Sequence, residues 1–290
     1  MFNLALINEF LGMPPNASAE GYQVDHIIEF SHWFMAALFV GWWVFFIYCL
    51  WRFRQKRNPV ANREGVTSGI STHLEFAVVL IDALLLIGFA IPLWAKRVDK
   101  VPAENDSIVV HAVGQQFSWN FHLPGPDGTF GRRDIALESS SNPLGIDYTD
   151  PAAKDDLTAL GELHVPIDRN VIIDISSKDV IHDFDIPAMR MAQDAIPGQV
   201  IPIWFKPIKT GNFEIVCAQL CGLGHYGMKG MLVVDTPADY QAWLKERKEL
   251  SGNQTAPPPL ARPPGEPPVG PTPGSVPPPG APKTANPGGG

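Results

Sequence analysis

The sequence predicts two membrane-spanning helices paired as a hairpin, followed by an all-β domain outside the membrane and an unstructured tail. Three observations carry that expectation. Two apolar stretches of membrane length lie within residues 1–97, short β-rich runs broken by Gly and Pro fill 98–250, and 14 of the 29 prolines fall in 251–290. At 290 residues the chain can hold one or two domains with a sizeable core.

The first span is placed at about 28–51 and the second at about 75–95. From Phe30 to Trp51 there are 22 residues without Asp, Glu, Lys or Arg, and about 20 apolar residues suffice to cross the hydrocarbon core. The second stretch, Phe76 to Ala95, is also long enough to cross but carries Asp82. Trp33, Trp51 and Trp94 sit near the ends, where amphipathic rings favour the interface. The loop between the spans holds Arg52, Arg54, Lys56, Arg57 and Arg63 against Glu64, while residues 1–29 hold no Lys or Arg. This asymmetry puts the loop in the cytoplasm and both ends, with the β domain, outside; a bacterial plasma membrane, with the β domain on its periplasmic side, is the expected location. No basic leader region precedes the first span, which is therefore expected to be retained. Cys49, inside that span, reads as a small apolar residue.

From Ser107 the pattern changes to runs such as "SIVVHAVGQQFSWNFHL", "LHVPIDRNVIIDIS" and "GNFEIVC". Short strands at this spacing indicate an antiparallel sandwich or barrel. Pro124 to Gly161 reads as a long surface insertion. "PADYQAWLKERKEL" reads as a terminal helix with Tyr240, Trp243 and Leu244 on one face. Residues 98–250 hold 13 Lys and Arg against 22 Asp and Glu, a field that favours cationic partners and argues against nucleic acid. The tail from Ser251 has almost no large apolar residues, so disorder with local polyproline II is expected.

Two of the three cysteines fall in one twelve-residue stretch, "CAQLCGLGHYGM", Cys217 to Met228. Outside the cytoplasm two cysteines could pair, but a disulfide gives no reason for His225 and Met228 to follow. Zinc would use Cys, Cys and His, yet it has little use for a thioether, whereas Met is a soft ligand suited to copper. A single copper would need one Cys. Two thiolates can bridge two coppers, each then wanting its own imidazole: His225 is one, and His182 in "SSKDVIHDFDIP" is the candidate for the other. No "CxxCH" occurs, so no c-type haem is attached to this chain.

"DVIHDFDIP", "QDAIPGQ" and "CAQLCGLGHYGM" together closely resemble subunit II of the haem-copper cytochrome c oxidases, over about residues 22–250. The resemblance implies a two-helix transmembrane hairpin followed by an all-β cupredoxin-like Greek-key sandwich holding a binuclear CuA centre. It implies Cys217 and Cys221 as bridging thiolates, His182 and His225 as terminal imidazoles, Met228 as a weak ligand and the backbone carbonyl of Gln219 as another. Glycines 222, 224 and 227 would let the loop fold tightly around the metals. The implied activity is an oxidoreductase relay: electrons pass from a cytochrome c through CuA to haem in subunit I, where oxygen is reduced to water with proton pumping. Subunits I and III, cytochrome c and membrane lipid are the implied partners.

Four positions depart from or qualify the pattern. The family usually has Glu at 219, where its side chain also binds magnesium; an amide supplies oxygen but no charge, so magnesium is left unassigned. "GQQFSWNF" resembles the family's GHQWYWSY, with Phe117 at the first Trp, where electrons arrive, and Trp119 at the second. Glu75 matches a Glu at the mouth of a proton channel into subunit I, although a carboxylate also suits a helix start. Asp82 stands where the family often has Pro, and a carboxylate at that depth is expected to face subunit I, paired or protonated. A quinol oxidase subunit II would lack the copper ligands, all present here. The CuA subunit of a nitric oxide reductase and a membrane-anchored copper protein outside an oxidase are the remaining alternatives.

Overall fold

In the computed structural model, residues 9–60, 63 and 68–252 are described. The tail assigned above to 251–290 therefore lies, from residue 253 on, outside the described residues.

Two helices are long and apolar enough to cross a membrane: α1 (Gly21–Arg52) and α2 (Ile70–Val98). A helix satisfies the backbone groups of its interior internally, which hydrocarbon demands, and the apolar side chains are exposed along both. Among the described residues, these two helices fit a membrane protein with two spans. Each helix is longer than the apolar stretch read from the sequence, because polar turns extend it at the ends. A π-helical turn at Leu86–Ala90 interrupts α2, and Phe89 there stacks on Phe30 of α1 at 6.1 Å.

The β domain is a sandwich of two five-stranded sheets with the cupredoxin-like architecture. The strands are β1 (Ser107–Gln115), β2 (Ser118–Leu123), β3 (Leu157–Leu160), β4 (Glu162–Pro166) and β5 (Asn170–Ser177). They continue as β6 (His182–Ile186), β7 (Met191–Ala195), β8 (Ile201–Phe205), β9 (Gly211–Cys217) and β10 (Lys229–Asp235). One sheet runs β3-β2-β1-β5-β8 and the other β4-β10-β9-β6-β7. Neighbours are antiparallel except β1 with β5 and β4 with β10. Alternation in β6, where His182, Phe184 and Ile186 are buried, shows the period-2 pattern pointing one side inward. Trp119, Phe121, Phe184, Phe205, Ile173 and Ile215 fill the space between the sheets, each contributing about 1.5–3 kcal/mol on burial.

The insertion after β2 is less superficial than its sequence suggests. Near its end, Leu157–Leu160 form β3, paired with β2, and Leu144, Ile146 and Ala153 build a small core with Val113. Phe130 stacks on His111 at 3.8 Å, so the insertion covers the outer face of β1 and β2. The terminal helix α3 (Pro237–Gly252) begins where Thr236 Oγ1 accepts from the Asp239 N–H at 3.3 Å. Tyr240 and Trp243 are buried, with Leu244 packed beside them, and Trp243 stacks on His164 of β4 at 4.6 Å.

Two polar latches join hairpin and sandwich. Residues 17–20 thread between them: the Ala17 N–H donates to Ala188 O at 2.8 Å, Ser18 Oγ to Met189 O at 2.8 Å, and the Ala19 N–H to Lys206 O at 2.9 Å. At the end of α2, Arg97 donates to Trp204 O at 2.9 Å, and Trp204 Nε1 donates back to Arg97 O at 3.0 Å. From α1, Asp25 accepts from Arg190 Nε at 2.6 Å. Each sheet is thus tied to a different membrane helix, β8 to α2 and the β6–β7 turn to α1.

Candidate metal centre

The strand register assembles the cluster before any side chain is considered. β9 ends at Cys217 and β10 starts at Lys229, paired with Val216, so Met228 lies opposite Cys217 and its carbonyl accepts from the Cys217 N–H at 3.2 Å. On the other side of β9, Cys217 faces Phe184 of β6, two residues beyond His182. The chain between Cys217 and Met228 makes an excursion that returns Cys221 and His225 to the same end of the sheet.

At that end Cys217 Sγ and Cys221 Sγ are 3.8 Å apart. His182 Nδ1 lies 3.9 Å from Cys217 Sγ, and His225 Nδ1 lies 3.6 Å from Cys221 Sγ. Met228 Sδ is 3.8 Å from Cys221 Sγ, and the Gln219 carbonyl is 3.2 Å from Cys217 Sγ. The ligand atoms of His182, Cys217 and Cys221 all fall within 4.8 Å of one another, with His225 joining on the Cys221 side. His182, both cysteines and Met228 are buried, while the Gln219 side chain is exposed. All six ligand positions expected from the sequence therefore converge. The thiols are free, at nearly twice the length of an S–S bond.

Two glycines carry the loop's shape. Gly222 has φ +137°, which side chains rarely adopt, and a Cβ on Gly224 would meet the Phe117 ring at 2.4 Å. Gly227, grouped with them above, has open space at its Cβ position and no positive φ.

Around the cluster stands a supporting layer that sequence reasoning missed. Asp179 Oδ1 accepts from His182 Nε2 at 2.8 Å, which leaves Nδ1 to face Cys217. Asp179 Oδ2 accepts from the Gln116 N–H at 2.8 Å, and Gln116 Nε2 donates to Cys221 O at 2.5 Å. A carboxylate on the outer nitrogen of a ligating imidazole is the usual orienting device at metal sites. The one signal in the sequence was Asp179 three residues before His182; nothing local marks Gln116. Gly114 is needed here too, since a Cβ would come 2.9 Å from His182 Cδ2.

Burial pushes the Cys221 thiol up to about 11, and the Cys217 thiol at 3.8 Å adds to the shift. Burial also works upward on Asp179, but hydrogen bonds from Gln116, His182 and Val180 hold it below the usual carboxylate range. A thiol kept protonated by burial needs a cation to ionise it, so metal binding here releases protons. Two sulfurs, two imidazole nitrogens, a thioether and a carbonyl exceed the four donors of a tetrahedral zinc site. Soft thiolate and thioether donors suit copper. The residues fit a copper group.

A family model described as cytochrome c oxidase subunit II, periplasmic domain, matches residues 108–236. The alternative cytochrome c oxidase subunit 2 of Bradyrhizobium diazoefficiens is 36% identical over 240 residues, covering 82% of this chain and 84% of that protein. The chain belongs to the cytochrome c oxidase subunit 2 family. The cytochrome c oxidase subunit 2 of Cereibacter sphaeroides is 27% identical over 250 residues, with 82% and 80% covered. The crystal structure of the periplasmic domain of subunit II of cytochrome oxidase from Bradyrhizobium japonicum aligns at a TM-score of 0.39 and 28% identity, covering 52% of this chain and 99% of that one. Membership makes the chain part of a haem-copper oxidase, an oxidoreductase complex.

The remaining sequence candidates fall at three depths. Phe117, in the turn between β1 and β2, is 39% exposed and lies against the ligand loop at Gly222 and Gly224. Trp119 has no exposed surface: it is wedged against Phe184 at 4.9 Å and His182 at 5.9 Å between ring centroids. In α2, Glu75 is exposed near the start of the helix. Asp82 lines a cleft of about 640 Å³ between α1 and α2, beside Ser31, Phe34 and Met35.

Proposed function

We propose that this subunit 2 protein is the electron-accepting relay of a respiratory cytochrome c oxidase, built on a binuclear CuA centre. The observation that carries the reading is the convergence of six donors, two of them thiols 3.8 Å apart, each thiol with its own imidazole. Cys217 and Cys221 would hold the metals as thiolates, His182 and His225 as imidazoles, and Met228 and the Gln219 carbonyl as weak donors. Bound copper supplies one-electron exchange between a cytochrome c and the haem of subunit I, where oxygen is reduced to water with proton pumping.

The chain's own residues do the rest. Asp179 fixes the His182 tautomer with Nδ1 toward the sulfurs, and Gln116 holds both Asp179 and the Cys221 carbonyl. Trp119 packs on His182 and is itself held by Phe184 in the core, so little reorganises when charge moves. Phe117 is a partly exposed aromatic lying against the loop, at the position where the family resemblance puts electron entry. Magnesium stays unassigned, because the side chain at 219 is an uncharged amide.

The basic loop between the helices supports an orientation with that loop in the cytoplasm of a bacterium and the copper domain in the periplasm. Glu75 then lies at the cytoplasmic side, where it would serve proton uptake into subunit I. Subunits I and III and a cytochrome c are the partners this role requires. Metal analysis and electron paramagnetic resonance of Cys221→Ser oxidase test the reading: the shared two-copper signal should vanish. Its persistence would reject Cys221 as a bridging ligand.

A further inference from the structure

Arg190 sits in the turn between β6 and β7, at the end of the hairpin opposite His182. The hairpin register is His182 with Ala195 at one end and Ile186 with Met191 at the other. Arg190 has φ 56° and ψ 45°, the left-handed region that disfavours residues with a Cβ. Its guanidinium nevertheless makes four hydrogen bonds. Nε and Nη2 donate to the two oxygens of Asp25 at 2.6 and 3.4 Å, Nη1 to Pro187 O at 2.6 Å, and Nη2 to Pro14 O at 2.8 Å. The side chain is only 6% exposed and that of Asp25 18%. The forked, planar guanidinium suits such a bidentate contact, and lysine would not replace it. Strain held by a charged contact across elements is an outlier that asks for a function.

What the contact joins suggests that function. Asp25 belongs to membrane helix α1. Arg190 belongs to the hairpin whose other end carries His182, with Phe184 and Ile186 locked in the core between them. Five residues of strand span about 13 Å at 3.3 Å per residue, so β6 is a short, stiff arm from membrane latch to metal cluster. Ala188 and Met189, beside Arg190, accept from the Ala17 N–H and Ser18 Oγ and reinforce the latch. Arg190 and Asp25 touch none of the six donors.

We propose that the Arg190–Asp25 pair is a positioning contact: it sets the height and tilt of the copper-bearing sheet over the membrane partner, and thereby the rate of copper-to-haem electron transfer. The inference rests on reading the chain as the copper relay. Transfer between fixed centres falls steeply with separation, and small misplacements far from the chemistry are costly.

The test uses the intact oxidase carrying Arg190→Gly, Asp25→Asn, or the exchanged pair Asp25→Arg with Arg190→Asp. Glycine accepts the left-handed backbone more readily than arginine, so it removes the latch while relieving strain, and Asp also tolerates that region. The two single variants should keep the two-copper resonance signal and the rate of electron uptake from the donor. Their copper-to-haem transfer in a single turnover should slow several-fold, and the exchanged pair should restore it. Unchanged transfer in both single variants overturns the proposal. So does loss of the copper signal, or failure of both to assemble, because the pair would then be structural. A wild-type oxidase without a two-copper signal overturns the copper reading itself, and shows before any substitution is made.

Discussion

Asp179 Oδ1 accepts a hydrogen bond from His182 Nε2 at 2.8 Å, and this one contact decides which imidazole nitrogen faces the sulfurs. Asp179→Asn removes the charge while keeping the shape. Loss of such a second partner lowers metal affinity about 10–100-fold. Competition against a copper chelator measures it, and an unaltered affinity would show that packing by Trp119 alone orients the ring.

Gly224 is held open by the Phe117 ring, which a Cβ would meet at 2.4 Å, whereas Gly227 has open space. Gly224→Ala should therefore destabilise the loop by about 1–3 kcal/mol, the range for overpacking, and weaken copper retention. Gly227→Ala should do neither. Thermal unfolding with and without copper checks the pair.

Phe117→Ala should slow electron uptake from the donor while leaving copper content at the wild-type level, because its ring is exposed and is no ligand. Stopped-flow oxidation of the donor is the measurement. Equal rates for the two proteins would remove Phe117 from the relay.

Burial, then Arg133 and His122 nearby, push His111 from its ordinary 6.5 down to about 3. Burial also lowers His122, against the opposing pull of Asp156 at 2.7 Å. A depressed folded value means the unfolded chain binds the proton first. The stability is then present above about 6.5 and is lost as pH falls toward 3. His111→Phe keeps a ring against Phe130 and should flatten that part of the stability–pH curve. An equally steep curve would place the acid sensitivity elsewhere.

The proposed ligand set could be picked out because its chemistry is concentrated: Cys217, Cys221, His225 and Met228 fall in one loop, and His182 lies in a matching string. The spans were legible by length and lack of charge. The supporting residues were not, since they act through contacts between distant elements. Gln116 reaches Cys221 across 105 positions and Arg190 reaches Asp25 across 165. Trp119 and Phe117 are two residues apart, yet one is wholly buried and the other 39% exposed. The sheet register decides that difference, and an aromatic string does not reveal it. β3 hid at the end of a polar insertion because four residues are too short to show a period.

Glu75→Gln in the intact oxidase should lower steady-state turnover if the carboxyl delivers protons toward subunit I. Turnover at the wild-type rate would leave Glu75 as a helix-start carboxylate.

The most direct test of the central claim is copper stoichiometry with electron paramagnetic resonance on the part-oxidised oxidase, read at the subunit 2 site. Two coppers at that site sharing one unpaired electron is the expected result. A single copper, or a signal localised on one nucleus, would contradict it.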